Sequence, residues 1–115
     1  MGVTSILIVA DDDDERALLD EALTRLGHEV RAARDGDDAL GVLASFSPRV
    51  VVMDIDLPGM SGYELAHKIR SLDGLATSHL IALTGHRRLT LDVAFDAHLV
   101  KPNNIATLIA AFPKC

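Results

Sequence analysis

At 115 residues the chain suits one compact domain, residues 1–115, with a single core and no room for a second. Hydrophobic residues make up 49% and aromatics only 3%, so the core must be built from Val, Ile, Leu and Ala, which favours tightly packed α/β layers. A formal charge of -6 without a basic stripe argues against direct nucleic-acid or anionic-membrane binding. No apolar run approaches the ~20 residues that cross a bilayer and no signal-peptide pattern opens the chain, so a cytoplasmic protein is expected. The single cysteine, Cys115, allows no internal disulfide and no cysteine-rich metal site, and reads as an incidental thiol.

Ser5 to Ala10 reads as a first strand. Asp14 to Leu26 reads as a helix with Ala17, Leu18, Glu21, Ala22 and Arg25 in helical register, closed by Gly27. Glu29 to Ala33 is a second strand, Asp35-Gly36 a turn, and Asp37 to Phe46 a second helix stopped by Ser47-Pro48. The β-branched run Val50 to Asp54 reads as a third strand buried on both faces. A third helix runs from about Ser61 to Ser71 with Leu65, Ala66 and Ile69 inward. Leu80 to Thr84 is a fourth strand, Arg88 to Ala94 a short helix, His98 to Val100 a fifth strand and Ile105 to Phe112 a last helix. Strands alternating with helices across short links imply right-handed crossovers and a doubly wound parallel sheet covered on both faces.

Four chemical features fall at carboxyl ends of these strands. The run Asp11-Asp12-Asp13-Asp14-Glu15 follows the first, Asp54 ends the third, Thr84 the fourth, and Lys101-Pro102 the fifth. In a sheet of order 2-1-3-4-5 those four strands are neighbours, so the residues converge on the rim where ligands of parallel α/β sheets bind. Crowded carboxylates repel unless a cation neutralises them, and hard oxygen donors suit Mg²⁺. An ionised Asp54 can then act as a nucleophile toward phosphorus, with Mg²⁺, the Lys101 ammonium and the Thr84 hydroxyl around the equatorial oxygens. Taken singly, most of these features have plainer explanations. Asp13, Asp14 and Glu15 in particular are expected to be a solvated helix start favoured by the helix dipole.

The stretch Val51 to Gly62, with Phe95-Asp96-Ala97-His98-Leu99-Val100-Lys101-Pro102, resembles the receiver domain of two-component response regulators over essentially the whole chain. The 2-1-3-4-5 order of a flavodoxin-like sheet is in part drawn from that family. The resemblance implies that Asp54 is the phosphoacceptor, taking a phosphoryl group from a sensor histidine kinase or histidine phosphotransfer protein. It implies Thr84 as the hydroxyl that moves toward the phosphoryl group, Lys101 as the paired cation, and Asp11 as a direct Mg²⁺ ligand. Asp56 stands where the family uses a main-chain carbonyl as a metal ligand. His98 occupies the position of a rotameric switch residue, with a partly buried strand histidine as the plainer alternative.

Three departures stand out. The first position of the family's acidic pair falls on Ala10, leaving Asp11 as the second, with Asp12 able to substitute if its side chain turns inward. Only 17 positions separate Thr84 from Lys101, about one and a half helical turns fewer than the family usually has, so the fourth helix region must be shortened. Ala94 stands where the family commonly has Gly, so the entry to the last strand must be rebuilt.

His86 lies where the family tunes autodephosphorylation, though a solvated loop histidine explains it equally; Arg87-Arg88 read as a solvated helix start. His28, His67 and His79 show no metal-ligand spacing, and Gly59 and Gly62 are expected to serve turn geometry. The expected function is that of a stand-alone phosphoacceptor which switches binding of a downstream protein target. The competing expectation is a pseudo-receiver, a protein-interaction module that is never phosphorylated. A flavodoxin-like cofactor binder is disfavoured, because the first loop is acidic where a phosphate cradle needs glycines and free amides.

Overall fold

A computed structural model describes residues 3–85, 94–101 and 105–113. Five strands, β1 (Ser5–Val9), β2 (Glu29–Ala33), β3 (Val50–Asp54), β4 (His79–Thr84) and β5 (Ala97–Val100), form one parallel sheet in the order β2-β1-β3-β4-β5. The described helices are α1 (Asp13–Arg25), α2 (Gly36–Leu43), α3 (Gly62–Arg70) and α4 (Ile105–Ala110). The helix expected from Arg88, with His86 and Arg87, lies outside the described residues, as do Pro102 and Cys115.

Alternation along the strands builds two cores. Leu7 and Val9, Val51 and Met53, and Leu80 and Ala82 point to one face, where Ala39 and Leu43 of α2 and Leu65, Ala66 and Ile69 of α3 cover them. Ile6, Ile8, Val50, Val52, Ile81 and Leu83 point to the other, covered by Leu23 of α1 and Leu108 of α4. Every residue of β3 is buried, as its unbroken apolar run predicts for a central parallel strand.

The phase of α1 decides which of its residues reach the core. Leu19 packs on the core and Leu23 is fully buried, whereas Ala17, Glu21 and Arg25 are exposed and Leu18 is 68% exposed. The register 17, 18, 21, 25 is therefore the outward face, where Arg25 and Glu21 form an ion pair at 2.8 Å. Two contacts set that phase. The Asp12 carboxylate caps the helix by accepting from the N–H groups of Asp14 (2.8 Å) and Glu15 (3.0 Å), and Arg16 donates back to the Ala10 carbonyl at 2.9 Å. Gly27 ends the helix as expected, with φ of 95°.

α2 starts at Gly36, capped by the Asp35 carboxylate, and ends earlier than expected, at Leu43. Beyond it Ala44 and Ser45 donate three residues back, to Gly41 and Val42, in a tightened last turn. The turn into β5 is held by Arg70, at the end of α3. Its guanidinium donates to the Ala94 carbonyl (3.0 and 2.7 Å), to Asp96 Oδ2 (2.8 Å), and to the carbonyls of Ala76 (3.0 Å) and Ser78. Asp96 Oδ2 also accepts from the Leu80 N–H at 2.8 Å, so a charged hub ties the end of α3 to the starts of β4 and β5. No non-glycine residue among those described has a positive φ.

Candidate functional site

The candidate residues meet where the strands end. Main-chain bonds stitch that rim: the Ala10 N–H donates to Ala33, Ile55 to Leu83 at 3.0 Å, and Lys101 to Thr84 at 2.7 Å. Strand parity then assigns faces. Asp54 lies two residues beyond Val52, and Lys101 two beyond Leu99, so both belong to the face covered by α1 and α4. Thr84 lies two beyond Ala82 on the opposite face, where the His98 ring packs edge-on against Phe95 at 5.3 Å.

On the α1 face Lys101 Nζ is 2.8 Å from Asp54 Oδ1 and 3.0 Å from Glu15 Oε2. The Asp54 side chain is 4% exposed, against 26% for Glu15 and 33% for Lys101, so the acid is sealed and its cation guards the mouth. Burial is the largest influence on Asp54 and lifts its pKa from 3.8 to about 6; the Lys101 ammonium opposes the rise and the Glu15 carboxylate adds to it. For Lys101, burial disfavours the ammonium, but its contacts with Asp54 and Glu15 outweigh that and raise its pKa.

The loop after Asp54 is held by close approach. The Gly62 N–H donates to the Ile55 carbonyl at 2.8 Å, and a Cβ on Gly62 would stand 2.5 Å from the Asp54 carbonyl oxygen. Gly62 thus serves contact between α3 and β3 rather than turn geometry; Gly59, with φ of 78°, serves the turn. Ser61 caps α3 by accepting from the Glu64 N–H at 3.2 Å.

The remaining candidates are placed as follows. Thr84 is buried at the end of β4, and His98 is half-buried with its Nε2 enclosed and without a hydrogen-bond partner among the described residues. Asp11 and Asp56 are exposed, each on the loop that leaves its strand. Asp12 is exposed and engaged in the helix cap, so it does not turn inward as a substitute acid. The acid that does is Glu15, expected to be solvated: it lies one turn before Leu19, and the phase of α1 carries it to the sheet. Its 15, 19, 23 spacing was the available signal.

The described residues include no group of three or more His, Cys, Asp or Glu disposed to hold a metal ion by themselves. Mg²⁺ needs no such cage, because it keeps several waters and binds through one or two carboxylates. The all-oxygen donors at this rim, a buried Asp54 and a partly buried Glu15 sharing one ammonium, fit that chemistry. No helix among the described residues is long and apolar enough to cross a membrane.

Residues 6–112 match the family model described as the response regulator receiver domain. The transcriptional regulatory protein AfsQ1 of Streptomyces coelicolor is 37% identical over 103 residues, covering 85% of this chain and 44% of that protein. The sensor histidine kinase RcsC of Salmonella typhimurium is 35% identical over 108 residues, covering 90% of this chain but 11% of the kinase, so the chain spans less than half of either relative. The response regulator TrrA of Thermotoga maritima, solved in complex with Mg²⁺-BeF, superposes with a TM-score of 0.83 at 33% identity over 94% of this chain and 95% of that one.

Proposed function

Because the chain belongs to the response regulator receiver domains, signalling domains of two-component systems, we propose that residues 1–115 form one receiver that accepts a phosphoryl group on Asp54. The observation that carries this reading is the sealed Asp54 carboxylate, 2.8 Å from the Lys101 ammonium at the carboxyl end of the central strand. A carboxylate oxygen of Asp54 attacks phosphorus of a donor phosphohistidine. The new O–P bond forms as the N–P bond breaks, and the imidazole leaves with the electron pair. The donor is a sensor histidine kinase or a histidine phosphotransfer protein. A stretch like this chain within the kinase RcsC supports that class of partner.

Asp11, Asp54 and the main-chain carbonyl of Asp56 would hold Mg²⁺, whose charge neutralises the phosphoryl oxygens when it is bound. Lys101 offers its ammonium to the same oxygens, and the raised pKa of Asp54 falls back as cations gather around it. Thr84 and His98 share the opposite face of adjacent strands. Movement of the Thr84 hydroxyl toward the phosphoryl group therefore shifts packing where the His98 ring lies on Phe95. That coupling turns phosphorylation into a population shift on the surface that a downstream protein target reads.

Titrating beryllofluoride with Mg²⁺ into ¹⁵N-labelled protein tests this reading. Shifts centred on Asp54, Thr84, His98 and Lys101 that require Mg²⁺ are expected. A spectrum that does not change would make the chain a protein-interaction module that keeps the fold without the chemistry.

A further inference from the structure

Glu15 is the acid of the helix start that is drawn out of water. Its side chain is 26% exposed, against 87% for Asp13, which pairs with Arg16. Glu15 Oε2 accepts from the Lys101 ammonium at 3.0 Å, and the same nitrogen lies 2.8 Å from Asp54 Oδ1. Both acids touch one nitrogen, so the Glu15 charge stands within about 6 Å of the Asp54 carboxylate, close enough for charges at a protein surface to act strongly on each other. Burial comes first in raising the pKa of Asp54, and Glu15 adds to that rise.

Lys101 brings one positive charge to two carboxylates, so the three side chains together keep one negative charge in excess. A phosphodonor arriving at Asp54 is itself an anion, and Glu15 both repels it and draws on the ammonium that its oxygens would meet. Water weakens such an effect at exposed Asp13 but much less at half-buried Glu15. We propose that Glu15 is a rate-setting residue whose charge holds small anionic phosphodonors back from Asp54. This rests on the reading of Asp54 as the phosphoacceptor.

Phosphorylation of the full chain by acetyl phosphate in saturating Mg²⁺ at pH 7, followed by intact mass, tests it. An Asp54 oxygen attacks phosphorus, the new O–P bond forms as the bond to the acetyl oxygen breaks, and acetate leaves with the electron pair. Glu15→Gln keeps the length of the side chain and an acceptor for Lys101 but removes the charge; Glu15→Met removes both charge and acceptor. Each should be phosphorylated about tenfold faster than the wild type. Circular dichroism checks folding, and either variant carries the test if the other does not fold. The gain should be smaller with phosphoramidate, which has one negative charge fewer than acetyl phosphate at this pH. An unchanged or lower rate in folded Glu15→Gln overturns the inference and makes Glu15 a holder of Lys101. A gain equal for the two donors also overturns it, because a change of shape alone does not sort donors by charge. If wild type and Glu15→Gln both stay unmodified, or are modified as readily when Asp54 is replaced by Ala, the reading of Asp54 falls and the inference with it.

Discussion

The first and third strands both deliver acids to the same rim, yet they do so by different means. Asp54 belongs to the strand itself, so the two-residue alternation of β3 decides its face, and Gly62 against the Asp54 carbonyl fixes the loop behind it. The acids after β1 belong to a helix start. Which of them turns inward depends on the rotation of α1, and that rotation follows from one cap at Asp12 and one tie from Arg16 to the Ala10 carbonyl. A strand end announces its function through parity. A helix start divides the same residue type between capping, solvent and site.

The rotation of α1 can be read from the stability of its two faces. Leu23→Ala should cost about 3 kcal/mol in urea denaturation, as a fully buried leucine does, and Leu18→Ala less than about 0.5. Equal costs would mean that the helix presents another face and that Glu15 is solvated after all.

A smaller effect concerns the strand acid. Burial raises the pKa of Asp54 to about 6, so the folded state holds its proton more tightly than the unfolded chain does. The stability this lends is present in full below pH 3.8 and is lost as pH rises through about 6. In EDTA, Asp54→Asn should therefore stabilise the protein by about 2 kcal/mol at pH 8 and by little at pH 3.5. A loss of stability at pH 8 would show instead that the Lys101 pair outweighs the desolvation of Asp54.

Smallest is the cap. Asp12→Ala should cost about 1 kcal/mol. If Asp12 acted mainly as a repelled acid near Asp54, its removal would stabilise the chain.

The same contrast explains what could be read without coordinates. The five strands, the inner face of α3 and the gathering of Asp54, Thr84 and Lys101 at one rim were legible, because period-two alternation and Pro-Gly punctuation survive in the residues themselves. The inner face of α1 was not. Its apolar residues, Ala17, Leu18, Leu19, Ala22 and Leu23, run too nearly all round the helix to select a face, and the choice is made by the Asp12 cap and the tie from Arg16 to the Ala10 carbonyl, which apolar periodicity does not reveal. Glu15 was missed for that reason. The Arg70 hub was equally invisible, since it joins α3 to Ala94 and Asp96, 24 and 26 positions away.

Phosphoryl acceptance at Asp54 is read from the intact mass of the protein after incubation with Mg²⁺ and acetyl phosphate, a small donor that bypasses the partner kinase. A gain of one phosphoryl group is predicted, lost in Asp54→Ala and lost in EDTA. An adduct that persists in Asp54→Ala, or an unmodified mass in a protein that binds neither Mn²⁺ nor beryllofluoride, would contradict phosphoryl acceptance at Asp54.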